Sequence, residues 1–586
     1  MSVNKDIKFA LKYHDATKHS EASLMTSRHY LDFDNKPIPF KVYPELPSIA
    51  LPTSFPTPEV NALSCIASNL DQLPSGAGRA TETKMKPPED NAASPRSVSK
   101  LDAGDLAELL FFSAGITRVV KYPYGSYYMR AASATGALYP IELYVVCDDI
   151  SSDLKAGVYH YSPADFSLTQ IRKGTYKRYL ATMADNQDIL NSPITVIFTS
   201  LAWRNAWKYQ ARSYRHWFWD AGVIIANLLA TSIAIGFASR VITGFVDDSV
   251  DHLLRLEDKK EASIAMVAIG IGLSGNGENP NQQQELLQAE RYTIEDKPIP
   301  KIRPLSKKGE ISYPEIWKLN GASKLNNREE VSDWINNSLN SEYLLERKLQ
   351  PSQRQIAKHV QDNIAPTYPQ EDIKHSFNLK ETILWRGSSR SFARSQIALS
   401  VLNNILYCST RGVPMDIFNE GTSLIDIYFI ANAVDGLNPG GYYYNRQGGR
   451  DPNSSFNRIK DVAYSRKLSA YLCLGQSLFG DASAVLFLMA DLQSVLRSLG
   501  NRGYRACQLE AGIIAGKIYL AAYAQRTGAS GSTFFDDAVT EFFSPHATNK
   551  STMIAVGVGV PGYNARPGKI LPLRLSKEQL LTYDFT

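Results

Sequence analysis

Three short segments of this 586-residue sequence gather residue types that could do chemistry. Arg386 to Phe392 reads RGSSRSF, two arginines and three serines in seven residues, just before a segment whose apolar positions recur at helical spacing, ARSQIALSVLNNILYCSTRG. At a helix start, Arg386, Ser388 and Arg390 would add charged and hydroxyl donors to free backbone N–H groups, which is a phosphate site in outline. A Ser-rich capping segment with solvated arginines would read the same way. Arg130 to Pro140, RAASATGALYP, runs through small residues into an apolar strand. Ser133, Ala134 and Gly136 would let the backbone approach a flat aromatic ligand, with Tyr139 and Pro140 as a stiff edge; a tight strand-initiating turn is the equal alternative. KYQARSYRHWFWDAG carries Lys208 beside Tyr209. Such a pair can take a proton in a dehydrogenation, although on the residues alone a surface charge beside a packing tyrosine is the stronger reading.

An internal repeat decides which elements position these segments. IELYVV (141–146) and LKAGVYHY (154–161) return as IDIYFI (425–430) and LNPGGYYY (437–444), each a strand, a Gly-containing turn and a second strand. YRHWFWDAGVIIANLLATS (214–232) returns as YRACQLEAGIIAGKIYLAA (504–522), with Asp220 matched by Glu510, and SIAMVAIGIG (263–272) returns as STMIAVGVGV (551–560). The landmarks keep their order at separations of about 283 to 290 residues, so the chain is a tandem duplication. An ancestral homodimer interface is self-complementary and survives fusion, so the copies should pack as a pseudo-two-fold pair, with Ala221–Ser239 and Ala511–Ala522 as the candidate contact. The alternative, that each helix is the core of its own domain, is equally open.

The predicted boundaries are a Pro-rich lead-in over 1–94 draping over the first domain, a first domain over 95–275, a linker with amphipathic helices over 276–375, and a second domain over 376–586. At 65.1 kDa the chain is too long for one hydrophobic core. A net charge of +5 with no basic stripe argues against nucleic-acid binding. Five cysteines without a Cys-x-x-Cys spacing read as reduced core thiols rather than disulfides or a metal site. The first twenty residues offer no apolar signal region, so a cytoplasmic protein is expected, and the apolar stretch 221–239 is read as a buried helix rather than a membrane span.

RAASATGALYP resembles the Pro-Ser-Ala-Gly-Ala-Leu-Tyr-Pro signature of the SagB/ThcOx branch of the nitroreductase superfamily, FMN-dependent azoline oxidases of peptide natural-product biosynthesis, with Ala132 in place of the proline. RGSSRSF resembles the Arg-Arg-Ser-x-Arg-x-Phe opening with which nitroreductases bind the FMN phosphate, Gly387 replacing the second arginine. The lead-in, LLFFSAGITR, both DAG/EAG helices and the ending PGYNARPGKIL are also similar to the branch, so the resemblance covers most of the chain and is weakest over the linker.

The resemblance implies an α/β (α+β) fold of two tandem nitroreductase-like domains, each a mainly antiparallel sheet flanked by helices. It implies FMN as cofactor and Lys208 and Tyr209 as the proton-removing pair. It further implies that Arg386, Ser388 and Arg390, with Arg566, hold the phosphate and ribityl chain, and that Arg130, Ser133, Ala134, Gly136 and Leu138 border the isoalloxazine. The copies divide these features. Lys208 and Tyr209 align with Ser498 and Leu499, RAASATGALYP aligns with MDIFNEGTSLI (415–425), and SPRSVSK (94–100) stands where the second copy has RGSSRSF. One FMN per chain follows, with Asp416 and Glu420 repelling a phosphate from the vacant pseudo-site. The implied reaction is dehydrogenation of a peptide-borne thiazoline or oxazoline, with oxygen reoxidising the flavin and a cyclodehydratase complex as partner. A nicotinamide-driven nitro or quinone reductase and a flavin-free scaffold subunit are the alternatives. The intrachain pseudo-dimer leaves the protein free to act as a monomer.

Overall fold

The repeated apolar runs form strands of two sheets with the same topology. The computed structural model describes residues 3–67, 101–123, 125–271, 294–349, 376–570 and 572–583. In the first copy the strands are β1 (Ser48–Ala50), β2 (Ile116–Tyr122), β3 (Gly125–Arg130), β4 (Ile141–Cys147), β5 (Gly157–Ser162), β6 (Ser167–Lys173), β7 (Ile194–Leu201), β8 (Ser239–Ile242) and β9 (Glu261–Ile269). In the second they are β10 (Asp426–Ala431), β11 (Gly440–Tyr444), β12 (Phe456–Asp461), β13 (Ala484–Ala490), β14 (Gly528–Ser532) and β15 (Ser551–Gly559). The first sheet runs β1-β6-β5-β4-β7-β9-β8 and the second β12-β11-β10-β13-β15-β14, while β2 and β3 form a separate hairpin. Apart from β1, the order is the same in both sheets, and the pairings within them are antiparallel. β4 and β10 are buried along their whole length, which is why both read as unbroken apolar runs.

Two long helices occupy the centre. Ser213–Ala234 is buried at every position, and Leu492–Ala524 is its counterpart, broken at Gly500, whose φ is +67°. The stretch Ala202–Ala234 contains an 18-residue window of mean hydropathy 1.4, long and apolar enough to cross a bilayer, yet that window is buried throughout within the protein. The two helices cross at paired glycines. A Cβ on Gly222 would lie 2.5 Å from the carbonyl carbon of Gly512, and one on Gly512 would lie 2.7 Å from the carbonyl oxygen of Phe218. Backbones can approach this closely only where both side chains are absent.

Reciprocal ion pairs flank the crossing. Arg212 and Arg215 of the first copy hold Asp536 of the second at 3.0 and 2.7 Å, and Arg502 and Arg505 of the second hold Asp247 of the first, both at 2.6 Å. All six side chains are buried. These pairs hold both aspartates below the usual carboxylate range, even though burial alone would raise them. Length argued for separate cores, but one contiguous apolar cluster runs through both copies, because the crossed helices bury their apolar surface against each other. A second, smaller cluster covers the outer face of the first sheet.

The lead-in does more than drape over the first domain. Its helix Lys8–Ala16 sits over the crossing, where Ala10 N–H donates to Asn501 at 3.1 Å and Arg215 donates to the His14 carbonyl at 2.7 Å. The linker helices form as Pro314–Ala322, Arg328–Leu339 and Glu342–Glu346. The segments KPPEDNAASPRS, SPRSVSK and GNGENPNQQQ, and with them the junctions drawn at 94/95 and 275/276, lie outside the described residues.

Two outcomes follow. Gly222→Ala should destabilise the fold by about 1–3 kcal/mol or more through overpacking, whereas Gly321→Ala, in open space on a helix, should be neutral or slightly stabilising; thermal melts of both variants check this. Because Asp247 and Asp536 have depressed folded-state pKa values, their contribution is full above the unfolded carboxylate pKa of about 3.9 and drains away as pH falls below it. Asp247→Asn should therefore cost roughly 3–5 kcal/mol at pH 7 and about 1 kcal/mol less at pH 3, measured by denaturant unfolding at both pH values.

Candidate functional site

The loop between β3 and β4 is shaped by unusual backbone. Gly136 has φ +66°, and Ala137 and Tyr139 also adopt positive φ, at 55° and 49°. Non-glycine residues rarely hold this conformation, and such strain persists only where surrounding contacts fix it. Here the Arg130 guanidinium stacks over the Tyr139 ring at 4.8 Å and donates to the Pro39 carbonyl at 2.6 Å. Beneath the loop, buried Arg204 donates to the Tyr139 and Ile38 carbonyls and pairs with Glu142, which also accepts from His160 at 2.6 Å. This cluster holds the Glu142 carboxyl down to about 2, with Arg204 the main cause against the opposing effect of burial. Ser133 and Ala134 line a small cavity with Ala132, Asp220 and Ile224, while Leu138 is buried and Gly136 is exposed at the loop tip.

Lys208 and Tyr209 end the helix Ala202–Tyr209, which follows β7 directly and stops where Gln210 turns to φ +48°. Tyr209 meets the loop tip: a Cβ on Gly136 would fall 2.8 Å from the Tyr209 hydroxyl. Burial, and secondarily the Asp220 carboxylate, raise the Tyr209 phenol, so it stays protonated. Lys208 is half-buried, and burial, then Arg390 and Lys36, lower its ammonium. Lys208 from the first copy and Arg390 from the second are thus charged neighbours.

RGSSRSF differs from the expected helix start. The following helix begins only at Leu399, and the segment instead runs extended along the second sheet's edge. Ser389 N–H donates to Ala529, Gly562 N–H to Ser391 and Ala393 N–H to Val560, all at 2.9 Å. The edge of β14 offers unpaired carbonyls, and pairing with them outcompetes an earlier helix start. Arg386 is buried and donates to the Ala131 and Arg130 carbonyls at 2.6 and 2.8 Å. Two of its donor groups are therefore committed to stitching the copies together, leaving Nη1 with only a 3.4 Å contact to Gly387. The Ser388 hydroxyl is half-buried, 3.3 Å from that of Tyr519, and Arg390 is exposed. The Arg566 side chain is exposed, while its carbonyl accepts from Arg118 at 2.5 Å as the C-terminal tail passes between Thr117 and Leu384.

These residues fit a ligand with an anionic end and a flat ring. Arg390 and Ser388 would supply phosphate donors, and the small-residue loop brings its glycine tip against the Tyr209 hydroxyl, where a Cβ would not fit. The matching region of the other half is filled by protein. Met415 bridges Val241, and Asp416 is buried, accepting from Thr243 N–H and hydroxyl and from Gly244 N–H at 2.7–2.9 Å. Arg347 donates to the Ser423 carbonyl and pairs with Asp426, and Leu349 packs on Gly421. Asp416 thus closes this region by occupying its donors rather than by charge repulsion across a void, and Glu420 is exposed.

Sequence reasoning marked Asp220 and Glu510 only as landmarks of the repeat. In the structure Asp220 accepts from Thr135 N–H and hydroxyl at 2.8 and 2.7 Å, and Asn205 links it to His216. The persistence of an acid in both DAG/EAG helices was the one available signal.

Comparison with known proteins agrees with this architecture. Residues 96–271 match the Nitroreductase family. The microcin B17-processing protein McbC of Escherichia coli is 24% identical over 247 residues, covering 41% of this chain and 78% of that protein. The trifolitoxin-processing protein TfxB of Rhizobium leguminosarum bv. trifolii is 27% identical over 169 residues, covering 28% of this chain and 45% of that protein. A solved chain from Anabaena variabilis atcc 29413, assigned to the nitroreductases, shares the fold over 94% of this chain and 99% of its own, with a TM-score of 0.65 and 23% identity. The duplicated sheets, the loop before β4 and these matches together identify the chain as a carrier of a nitroreductase-family domain over residues 96–271.

Proposed function

We propose that the chain is an FMN-dependent dehydrogenase that oxidises a peptide-borne thiazoline or oxazoline to the azole, working beside a cyclodehydratase, with oxygen reoxidising the flavin. The observation that carries this reading is that Tyr209 of one copy meets the Gly136 loop while the adjoining Lys208 lies near Arg390 of the other. The likeness to proteins that process microcin B17 and trifolitoxin supports a peptide substrate.

FMN, when bound, supplies a hydride acceptor. Arg390 and Ser388, with Arg566, hold its phosphate end, and Arg386 fixes the loop that borders its ring. Ser133, Ala134, Gly136 and Leu138 keep the ring surface close to backbone. Lys208 takes the substrate proton, because burial and two neighbouring cations raise the fraction of its amine that is neutral near pH 7. Tyr209, held protonated, donates a hydrogen bond rather than accepting a proton.

Lys208→Ala should keep its flavin absorbance and lose about 10²–10⁴-fold in turnover of a thiazoline-containing peptide, while Tyr209→Phe should lose less; steady-state kinetics on reconstituted protein measure both. Anaerobic bleaching of the wild-type flavin by NADPH, with equal rates in Lys208→Ala, would instead support a nicotinamide-driven reductase. Absence of flavin absorbance after reconstitution would support a scaffold subunit.

A further inference from the structure

Asp220 lies within the central helix Ser213–Ala234, buried at 3% exposure, where an unpaired carboxylate would be costly. It is tied to two other elements. From the β3–β4 loop, Thr135 donates its N–H at 2.8 Å and its hydroxyl at 2.7 Å. From the helix that carries Lys208 and Tyr209, the Asn205 amide donates at 3.4 Å. Asn205 accepts in turn from His216 Nδ1 at 2.9 Å, and the His216 ring stands edge-on to Tyr209 with centroids 4.5 Å apart. Thr135 immediately precedes Gly136, whose tip position faces the Tyr209 hydroxyl. The same carboxylate lines the cavity formed by Ser133 and Ala134.

The duplicate provides an internal control. Glu510, at the matching position, accepts from Leu424 N–H at 2.8 Å, immediately before Ile425, the residue that matches Ile141 at the start of β4. There the acid anchors the base of the loop, and the copy has no Lys-Tyr pair. In the first copy the shorter aspartate has shifted its grip to Thr135, near the loop's tip.

We propose that Asp220 is the positioning residue of the composite site: through Thr135 and Asn205 it holds the ring-bordering loop and the Lys208–Tyr209 helix in fixed relation, with its carboxylate facing the bound flavin. This rests on the flavin reading above. The titratable and charged groups around it are Tyr209, His216 through Asn205, Arg130 across the cavity, and Lys208 beyond Tyr209. Burial pushes the Asp220 carboxyl up to about 7 against the opposing effect of the Thr135 hydrogen bonds. Burial also keeps His216 well below its usual range and Tyr209 above its own, leaving Asp220 to ionise between them.

The test is a pH titration, from 5.5 to 8.5, of the visible circular dichroism of oxidised FMN bound to the full chain. Wild type should show a transition near pH 7 that persists in Lys208→Ala and vanishes in Asp220→Asn, with FMN still bound. Thr135→Val, which removes one hydrogen bond to the ionised form, should keep the flavin and move the transition upward by roughly 0.5–1 pH unit. It carries the test by itself if Asp220→Asn does not fold. A transition unchanged in Asp220→Asn, or unmoved in Thr135→Val, overturns the proposal while leaving the flavin reading intact. Failure of wild type to bind FMN overturns both.

Discussion

The backbone-to-backbone contact of Gly222 with Gly512 is the constraint on which the rest of the structure depends. With no side chain between them, the two central helices approach closely enough for the copies to share one apolar core. The two arginine-pair clamps then fix how the helices cross, since each desolvated carboxylate is stable only where both of its arginines reach it. The reciprocity of glycines and clamps is the pattern of an isologous contact carried within one chain. Only with this crossing in place can Arg386 of the second copy reach the Ala131 carbonyl of the first, 255 residues earlier.

Fusion of two copies frees each from the need to serve both sides of a symmetric interface. The first copy carries Lys208–Tyr209 and a loop with positive φ at Ala137 and Tyr139 as well as at Gly136, and the second carries Ser388 and Arg390. The other side was then filled from within. Asp416 takes the amides of Thr243 and Gly244, Arg347 takes the Ser423 carbonyl, and Leu349 covers Gly421. The linker residues that do this have no counterpart in a symmetric dimer, where filling one pocket would fill both.

The strands and the central helices were legible because their signal is local. Unbroken apolar runs such as Ile141–Val146 and the repeat of the DAG and EAG helices need no knowledge of partners. The loop's special backbone was also legible, through the small residues around Gly136. Contacts between distant segments were not. Nothing in RGSSRSF announces that Arg386 will turn to backbone carbonyls of the other copy, or that β14 will draw the segment into an extended edge. Asp220 read only as a repeat landmark, because its partner Thr135 lies 85 residues away in sequence. The expectation of separate cores failed for the same reason: length limits a core grown by one domain, not one shared across crossed helices.

The account's central claim is a single composite flavin site per chain. Its most direct test is the ratio of bound FMN to protein after reconstitution, in wild type and in a variant carrying Ser388→Ala and Arg390→Ala. The account predicts one FMN per wild-type chain and near-complete loss in the variant. Two FMN per chain, or one that survives the double substitution, would contradict it.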